Sequence, residues 1–161
     1  MNDTRVRMTP QQHIPIGDLK YTLSKFHPPV ARVRPSEVFE VATELNIGGH
    51  NILSLEDRIT PDSFVIPFVN PATGPIYIEG AKPGHMLMIN LHQVELVGYG
   101  FTALWPGVGI FPDWGRQKEF GVQSHVVRVA DGIVHWSDDI KIPAAPMVGV
   151  MDPDAGSRSA E

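Results

Sequence analysis

Residues 122–136, VQSHVVRVADGIVHW, hold two runs of alternating apolar residues on either side of Asp131 and Gly132. An Asp-Gly pair between two such runs is typical of a two-residue β-hairpin turn, because both residues tolerate the positive φ angles that this turn requires. We therefore predict a hairpin in which Ala130 pairs with Ile133.

The predicted register has two consequences for the rest of the hairpin. The side chains that share its core face are Val127, Val129, Val134 and Trp136. His125 lies opposite Asp138 at the open end, where a carboxylate could orient an imidazole. The alternative is a purely structural hydrogen bond at the edge of the core, which is the commoner arrangement.

The composition extends this β character to the whole chain. The chain has 161 residues, 42% of them hydrophobic, with 15 glycines and 15 prolines. Both residue types interrupt helices. We predict an all-β fold, a β-sandwich or jelly-roll-like structure with barrel-like elements and few or no long helices. Residues 1–36 are expected to form an extended N-terminal arm, residues 37–150 the β domain and residues 151–161 a polar tail.

The local pattern makes further elements explicit. Alternation predicts strands at residues 38–45, 75–80 and 86–97, and an edge or bulged strand at residues 64–69, which contain Pro67. Residues 54–62 are compatible with one helical turn ended by Pro61. Residues 98–115 are rich in glycine, proline and aromatic residues and predict a long loop.

Charge and the absence of certain residues limit the possible partners. The net charge is −5, yet residues 1–35 carry six lysines and arginines against two aspartates. A basic arm of this kind could touch nucleic acid, but without interleaved aromatic residues a solvated arm is the better interpretation. The chain has no cysteine, which rules out disulfides and thiolate zinc sites. With no apolar leader and no apolar run of about 20 residues, we expect a cytoplasmic protein without a membrane partner.

Glu79 is the candidate catalytic residue that the sequence offers. It follows an alternating strand and precedes Gly80, which permits a bulge or a close approach by a ligand. A carboxylate there could bind a hard metal ion or act as a general base, and an ordinary solvent-facing glutamate is the alternative. His85 and His92 form only a weak metal pair, since their odd separation puts them on opposite faces of a strand.

Residues 70–84, NPATGPIYIEGAKPG, closely resemble a segment of the acetamidase/formamidase family of linear-amide hydrolases. Further blocks resemble the family in the same order: residues 19–46, 54–62, 100–114 and 135–150. The resemblance covers roughly residues 19–150 and is to the N-terminal half of the family proteins.

The resemblance implies an all-β protein that hydrolyses small amides such as formamide or acetamide to the carboxylate and ammonia. It also implies a divalent metal, with zinc, calcium and magnesium all open, that polarises the carbonyl and lowers the pKa of a water. Glu79 matches the position expected for the base or a metal ligand, and Asp138 is a second catalytic candidate.

Departures from the family pattern qualify this expectation. Family members usually run to about twice this length, and Lys82 and His85 replace acidic residues, which makes the local charge less favourable to a cation. The resemblance therefore implies a homo-oligomer or a second chain that supplies the missing half, with exposed apolar residues where that half would pack. The alternative is a truncated, non-catalytic β-domain that acts as a binding or assembly module.

Overall fold

A computed structural model describes residues 8–47, 52–96, 98–107, 109–110, 112–113 and 121–152. The regular structure in these ranges is strand, apart from one short 3₁₀ helix, Pro61–Ser63. The strands are β1 Gln12–Ile14, β2 Ala31–Val33, β3 Phe39–Val41, β4 Ile76–Ile78, β5 Gly98–Leu104, β6 Gln123–Ala130, β7 Ile133–His135 and β8 Lys141–Pro143. The all-β prediction is confirmed, and the sheets are open rather than closed barrels.

The chain divides into two compact units. The first contains Met1–Asn46, Asn70–Val94 and Val148–Glu161, and the second contains Ile47–Val69 and Glu95–Met147. No helix in the described ranges is long and apolar enough to cross a membrane.

The first unit is built from two parallel strand pairs, β1 with β3 and β2 with β4. Its core includes Ile14 and Val33, each 2% exposed. β1 and β2 both come from the first 36 residues, so these parts of the predicted arm pair with strands that follow it in the chain. The domain boundaries at residues 36 and 150 stay predictions.

The second unit contains an antiparallel sheet in the order β5-β6-β7-β8. The predicted hairpin is confirmed: Ala130 pairs with Ile133, and the turn residues have φ angles of 51° for Asp131 and 72° for Gly132. Both angles lie in the left-handed region that a tight hairpin turn of this type needs.

The core face of the hairpin is only partly as predicted. Val127 is buried, but so is its neighbour Val126, so both faces of β6 are covered at this point. Trp136 is 38% exposed and does not join the core. It lies beyond the end of β7 at His135, and its ring packs against the His125 ring on β6 instead of in the core.

In two long segments the structure is the reverse of the prediction: a predicted loop contains a strand, and a predicted strand is unpaired. Gly98–Leu104, expected in a loop, is strand β5 and pairs with β6 along its whole length. The residues of 86–97 that the structure describes, 86–96, were expected to form a strand and join no ladder. A strand exists only where a neighbouring strand completes its hydrogen bonds, and here the neighbour outweighs the local pattern.

Two shorter predictions are also wrong. Residues 64–69 form a turn in which the Phe68 N–H donates to the Val65 carbonyl at 2.6 Å, in place of an edge strand. The helical turn begins at Pro61 instead of ending there. Proline fits the first position of a helix because the N–H that it lacks has no partner within the helix at that position.

Candidate functional site

Glu79 lies immediately after strand β4, and its backbone is fixed by the ladder. Its N–H donates to the Val33 carbonyl at 2.9 Å, which extends the β2–β4 pairing by one residue. The chain then turns: the Ala81 N–H donates to the Ile78 carbonyl, and Gly80 has a φ angle of 78° that favours glycine. Glu79 is exposed at the end of this strand.

Positive charge accompanies this strand end. The Arg32 guanidinium lies over the Tyr77 ring, 4.4 Å from its centroid, in the register that pairs the two residues across β2 and β4. Tyr77 and Glu79 are exposed and alternate with the half-buried Ile76 and Ile78, so they project to the same side of the strand. The predicted alternation of β4 is confirmed, and a cation lies along the face that carries Glu79.

The described residues do not by themselves fit a divalent metal site. Among them no group of three or more histidine, aspartate or glutamate side chains could hold a metal ion. Glu79 on its own offers one exposed carboxylate, whereas hard divalent ions need several oxygen ligands. His85 and His92 belong to no such group in this part of the chain either.

Asp138, the second candidate, lies in the second unit at a groove of about 640 Å³. The groove is lined mainly by polar and charged side chains from the β6–β7–β8 sheet and from the segment before the 3₁₀ helix. Those with hydrogen-bonding side chains are Arg58, Ser124, His125, Arg128, His135, Trp136, Ser137, Asp138 and Lys141.

A basic row crosses the floor of this groove. Arg128 on β6 pairs with His135 on β7, which pairs with Lys141 on β8. Directly opposite residues share one face of a sheet, so these three side chains stand side by side. Arg58 adds a fourth nitrogenous group, with its guanidinium held by the carbonyls of Leu55 and Asp57 at 3.0 and 2.8 Å.

The charge balance of the groove favours an anion. Arg58, Arg128 and Lys141 are cationic, and Asp138 is the only carboxylate among the described residues that line the groove. A groove of this sign attracts carboxylates and other oxyanions, which the guanidinium groups can hold by charge-assisted hydrogen bonds.

The predicted contact between His125 and Asp138 is not formed. The Nε2–H of His125 donates instead to the Trp136 carbonyl at 2.7 Å. The centroids of the His125 and Trp136 rings lie 4.6 Å apart. This is a structural hydrogen bond, although its partner is a backbone group and not the predicted carboxylate.

The backbone after β7 explains why Asp138 leaves the ladder. The N–H groups of Trp136 and Ser137 both donate to the Ile140 carbonyl, at 3.0 and 3.2 Å, and the Ile140 N–H donates to the Ser137 hydroxyl. This closes a tight turn that carries Asp138. The run Ser-Asp-Asp, rich in turn-forming residues, was the signal for it.

Sequence reasoning missed the basic row, although the signal was present. The hairpin register that pairs Ala130 with Ile133 also pairs Arg128 with His135. Lys141 could not be placed in the same way, since its position depends on the turn after Trp136.

Comparison with known proteins gives matches among solved structures. No protein-family model matches the chain, and no curated protein matches it. A predicted acetamidase/formamidase from Thermoanaerobacter tengcongensis is 26% identical with a TM-score of 0.63, over 82% of this chain and 42% of that one. An acetamidase from Bacillus halodurans is 20% identical with a TM-score of 0.64, over 81% and 42%. An acetamidase from Yersinia enterocolitica is 23% identical with a TM-score of 0.61, over 87% and 45%.

These matches confirm, at the level of the fold, the resemblance to the acetamidase/formamidase proteins that the sequence suggested. Most of this chain superposes on each of the three structures, yet it spans less than half of their length. That proportion is consistent with a resemblance to one half of such a protein.

Proposed function

We propose that this chain forms one half of a hydrolase of the acetamidase/formamidase type. The complete enzyme would cleave the C–N bond of a small linear amide, such as formamide or acetamide, to the carboxylate and ammonia. The observation that carries the proposal is the shared fold with three acetamidase structures over more than four-fifths of this chain. Because the match takes up less than half of each of those chains, the active site would be completed by a complementary part.

Glu79 is assigned the role of general base. In this role its carboxylate takes a proton from a water, whose oxygen attacks the amide carbon, and then delivers the proton to the leaving nitrogen. The C–N bond breaks and the nitrogen departs as ammonia. The setting of Glu79 supports this role, since its backbone is fixed by Val33 while its carboxylate is exposed to a partner or substrate.

Asp138 stays the second candidate, and the metal stays a prediction. Asp138 lies in a groove whose cations suit a carboxylate product. No step is assigned to a divalent ion, because the described residues do not assemble a site for one. Zinc, calcium and magnesium are therefore each added in the activity assay described next.

The first prediction concerns Glu79 in the completed enzyme. The chain is co-expressed with the part of the T. tengcongensis protein that lies outside the structural match, and ammonia release from formamide and acetamide is measured with each metal. Glu79→Gln should lower kcat by about 10²- to 10⁴-fold, the range for loss of a general base. Glu56→Gln, also an exposed glutamate, is the matched control and should leave the rate unchanged. Full activity in Glu79→Gln would remove that residue from the mechanism.

A non-catalytic assembly module is the second candidate function. It is favoured by bare apolar side chains, above all Met86 and Met88, which are 96% and 94% exposed. Contiguous exposed apolar side chains, such as these two on one face of a segment, mark surfaces that contact another protein. A well-folded assembly that releases no ammonia under any of the metals would support this candidate over the hydrolase.

A further inference from the structure

We propose that residues 86–92, the sequence MLMINLH, form a docking edge that pairs with a strand of the complementary part. The inference deepens the proposed function, on which its choice of partner rests. It concerns an interaction surface and assigns no further catalytic role.

The backbone of residues 86–92 is unpaired in the described part of the chain. The segment follows a turn in which the His85 N–H donates to the Lys82 carbonyl at 3.0 Å. From Met86 to His92 no backbone group bonds to the backbone of another described residue, and the segment belongs to no ladder. Its N–H and C=O groups are therefore available to a neighbouring strand.

The side chains of the segment make an uncovered strand unfavourable. On one face Met86 and Met88 are 96% and 94% exposed, and on the other Ile89 and Leu91 are still about half exposed, at 49% and 51%. The four consecutive apolar residues 86–89 are typical of a strand buried on both faces, since a strand with one solvated face alternates apolar and polar residues. The segment therefore has the sequence of an internal strand and the surroundings of an edge.

The segment also lacks the features by which natural edge strands avoid pairing. Edges are usually protected by charged side chains, by proline or by a bulge. Residues 86–92 contain no lysine, arginine, aspartate, glutamate or proline. An unprotected edge of this composition accepts an added strand, with main-chain hydrogen bonds giving affinity and the alternate side chains giving specificity.

The choice of occupant rests on the comparison with solved structures. In each of the three solved structures, more than half of the chain lies outside the match to this protein. We therefore assign the added strand to that complementary part. A second copy of this chain is the competing occupant, and the experiment separates the two.

Hydrogen exchange of the backbone amides in residues 86–92 tests the inference. The chain is measured alone over a range of concentrations, and again in complex with the complementary part of the T. tengcongensis protein. Alone, these amides should exchange rapidly. In the complex they should slow by about 100-fold or more, as amides do when strand pairing makes their exchange depend on opening of the complex.

A pair of matched variants localises the contact. Met88→Lys places a charge on the bare face of the segment and should weaken the complex by about tenfold or more, since a charge buried in an apolar interface must be desolvated. Met147→Lys changes another methionine that is 80% exposed, outside the segment, and should leave the affinity unchanged. Circular dichroism of the free variants checks that both fold.

Each outcome bears on the inference separately from the proposed function. Rapid exchange in the complex, or failure of any complex to form, overturns the docking edge. If the exchange of these amides is already slow in the chain alone, and slows further as its concentration rises, the partner is a second copy of this chain and the inference is overturned. Ammonia release without protection of residues 86–92 leaves the proposed function standing without the edge. Protection without ammonia release leaves the edge standing without the function.

Discussion

At the scale of single residues, Ser124 makes a contact whose free energy can be isolated. Its hydroxyl accepts a hydrogen bond from the Ile59 N–H at 3.0 Å, and Ile59 is 2% exposed. The contact joins the segment before the 3₁₀ helix to strand β6 within the second unit. Because the Ile59 amide is shielded from water, no water can accept its hydrogen bond when the Ser124 hydroxyl is removed.

Ser124→Ala should therefore lower the free energy of unfolding by about 1–3 kcal/mol, the cost of an unsatisfied buried donor. Ser137→Ala is the matched control, since Ser137 also accepts a backbone N–H, from Ile140 at 3.1 Å, but in an exposed turn. Its effect should stay within about 0.5 kcal/mol. Urea denaturation of both variants gives the two values. Equal losses would show that burial of the Ile59 amide has no special weight.

Glu37 carries a charge-dependent contribution to stability. The Arg34 N–H donates to its carboxylate at 3.0 Å and the Arg34 guanidinium does so at 3.3 Å. The backbone hydrogen bond, with a smaller contribution from the side chain, lowers the pKa of Glu37 below its ordinary value. A lowered folded-state pKa contributes stability that is present above the unfolded-state pKa and is lost as the pH falls through the folded-state value.

Glu37→Gln should accordingly destabilise the chain at neutral pH, and the difference from wild type should shrink as the pH falls below about 4.3, the ordinary value for glutamate. Chemical denaturation at a series of pH values between neutral and strongly acidic measures this difference. A difference that is constant with pH would mean that Glu37 acts through packing rather than through its charge.

At the scale of elements, the β6–β7 hairpin is defined by its turn. Gly132 has a φ angle of 72° and no heavy atom within 4 Å of the position that a Cβ would take. Gly132→Ala should therefore destabilise the chain through the backbone alone, by about 1–2 kcal/mol. Gly149→Ala is the control, because Gly149 is equally open without a positive φ angle. Thermal unfolding measures both, and a neutral Gly132→Ala would contradict the turn geometry.

The strands also show which parts of the fold could be predicted from the sequence. The hairpin and strand β4 were predictable, because turn residues and alternation specify them within a short stretch. Strand β5 and residues 86–96 were predicted the wrong way round, because a distant neighbour decides which segment is paired. A glycine-rich segment becomes a strand beside β6, and an apolar alternating one is left without a ladder.

In the candidate site, too, features set by local sequence were predictable, and features set by distant contacts were not. The position of Glu79 at the end of a strand followed from alternation in residues 75–80. The contact of His125 with Asp138 did not form, since a turn specified by Ser137 and Ile140 removed Asp138 from the register. The basic row across the groove was implied by the hairpin register for Arg128 and His135, whereas Lys141 needed the structure.

At the scale of the whole molecule, two observations point in the same direction. Several large apolar side chains are more than four-fifths exposed: Phe26, Met86, Met88 and Ile110. The chain also corresponds to less than half of each of the three solved structures that it matches. Both follow if this chain is one half of a larger assembly, whose other half covers the apolar residues and completes the site around Glu79.

The most direct test of this account is ammonia release from formamide by the chain alone, by the complementary part of the T. tengcongensis protein alone, and by the two together, each with zinc, calcium or magnesium. The account predicts release only when both parts are present, and its loss in Glu79→Gln but not in Glu56→Gln. A stable, folded complex of the two parts that releases no ammonia would contradict the assignment of amide hydrolysis.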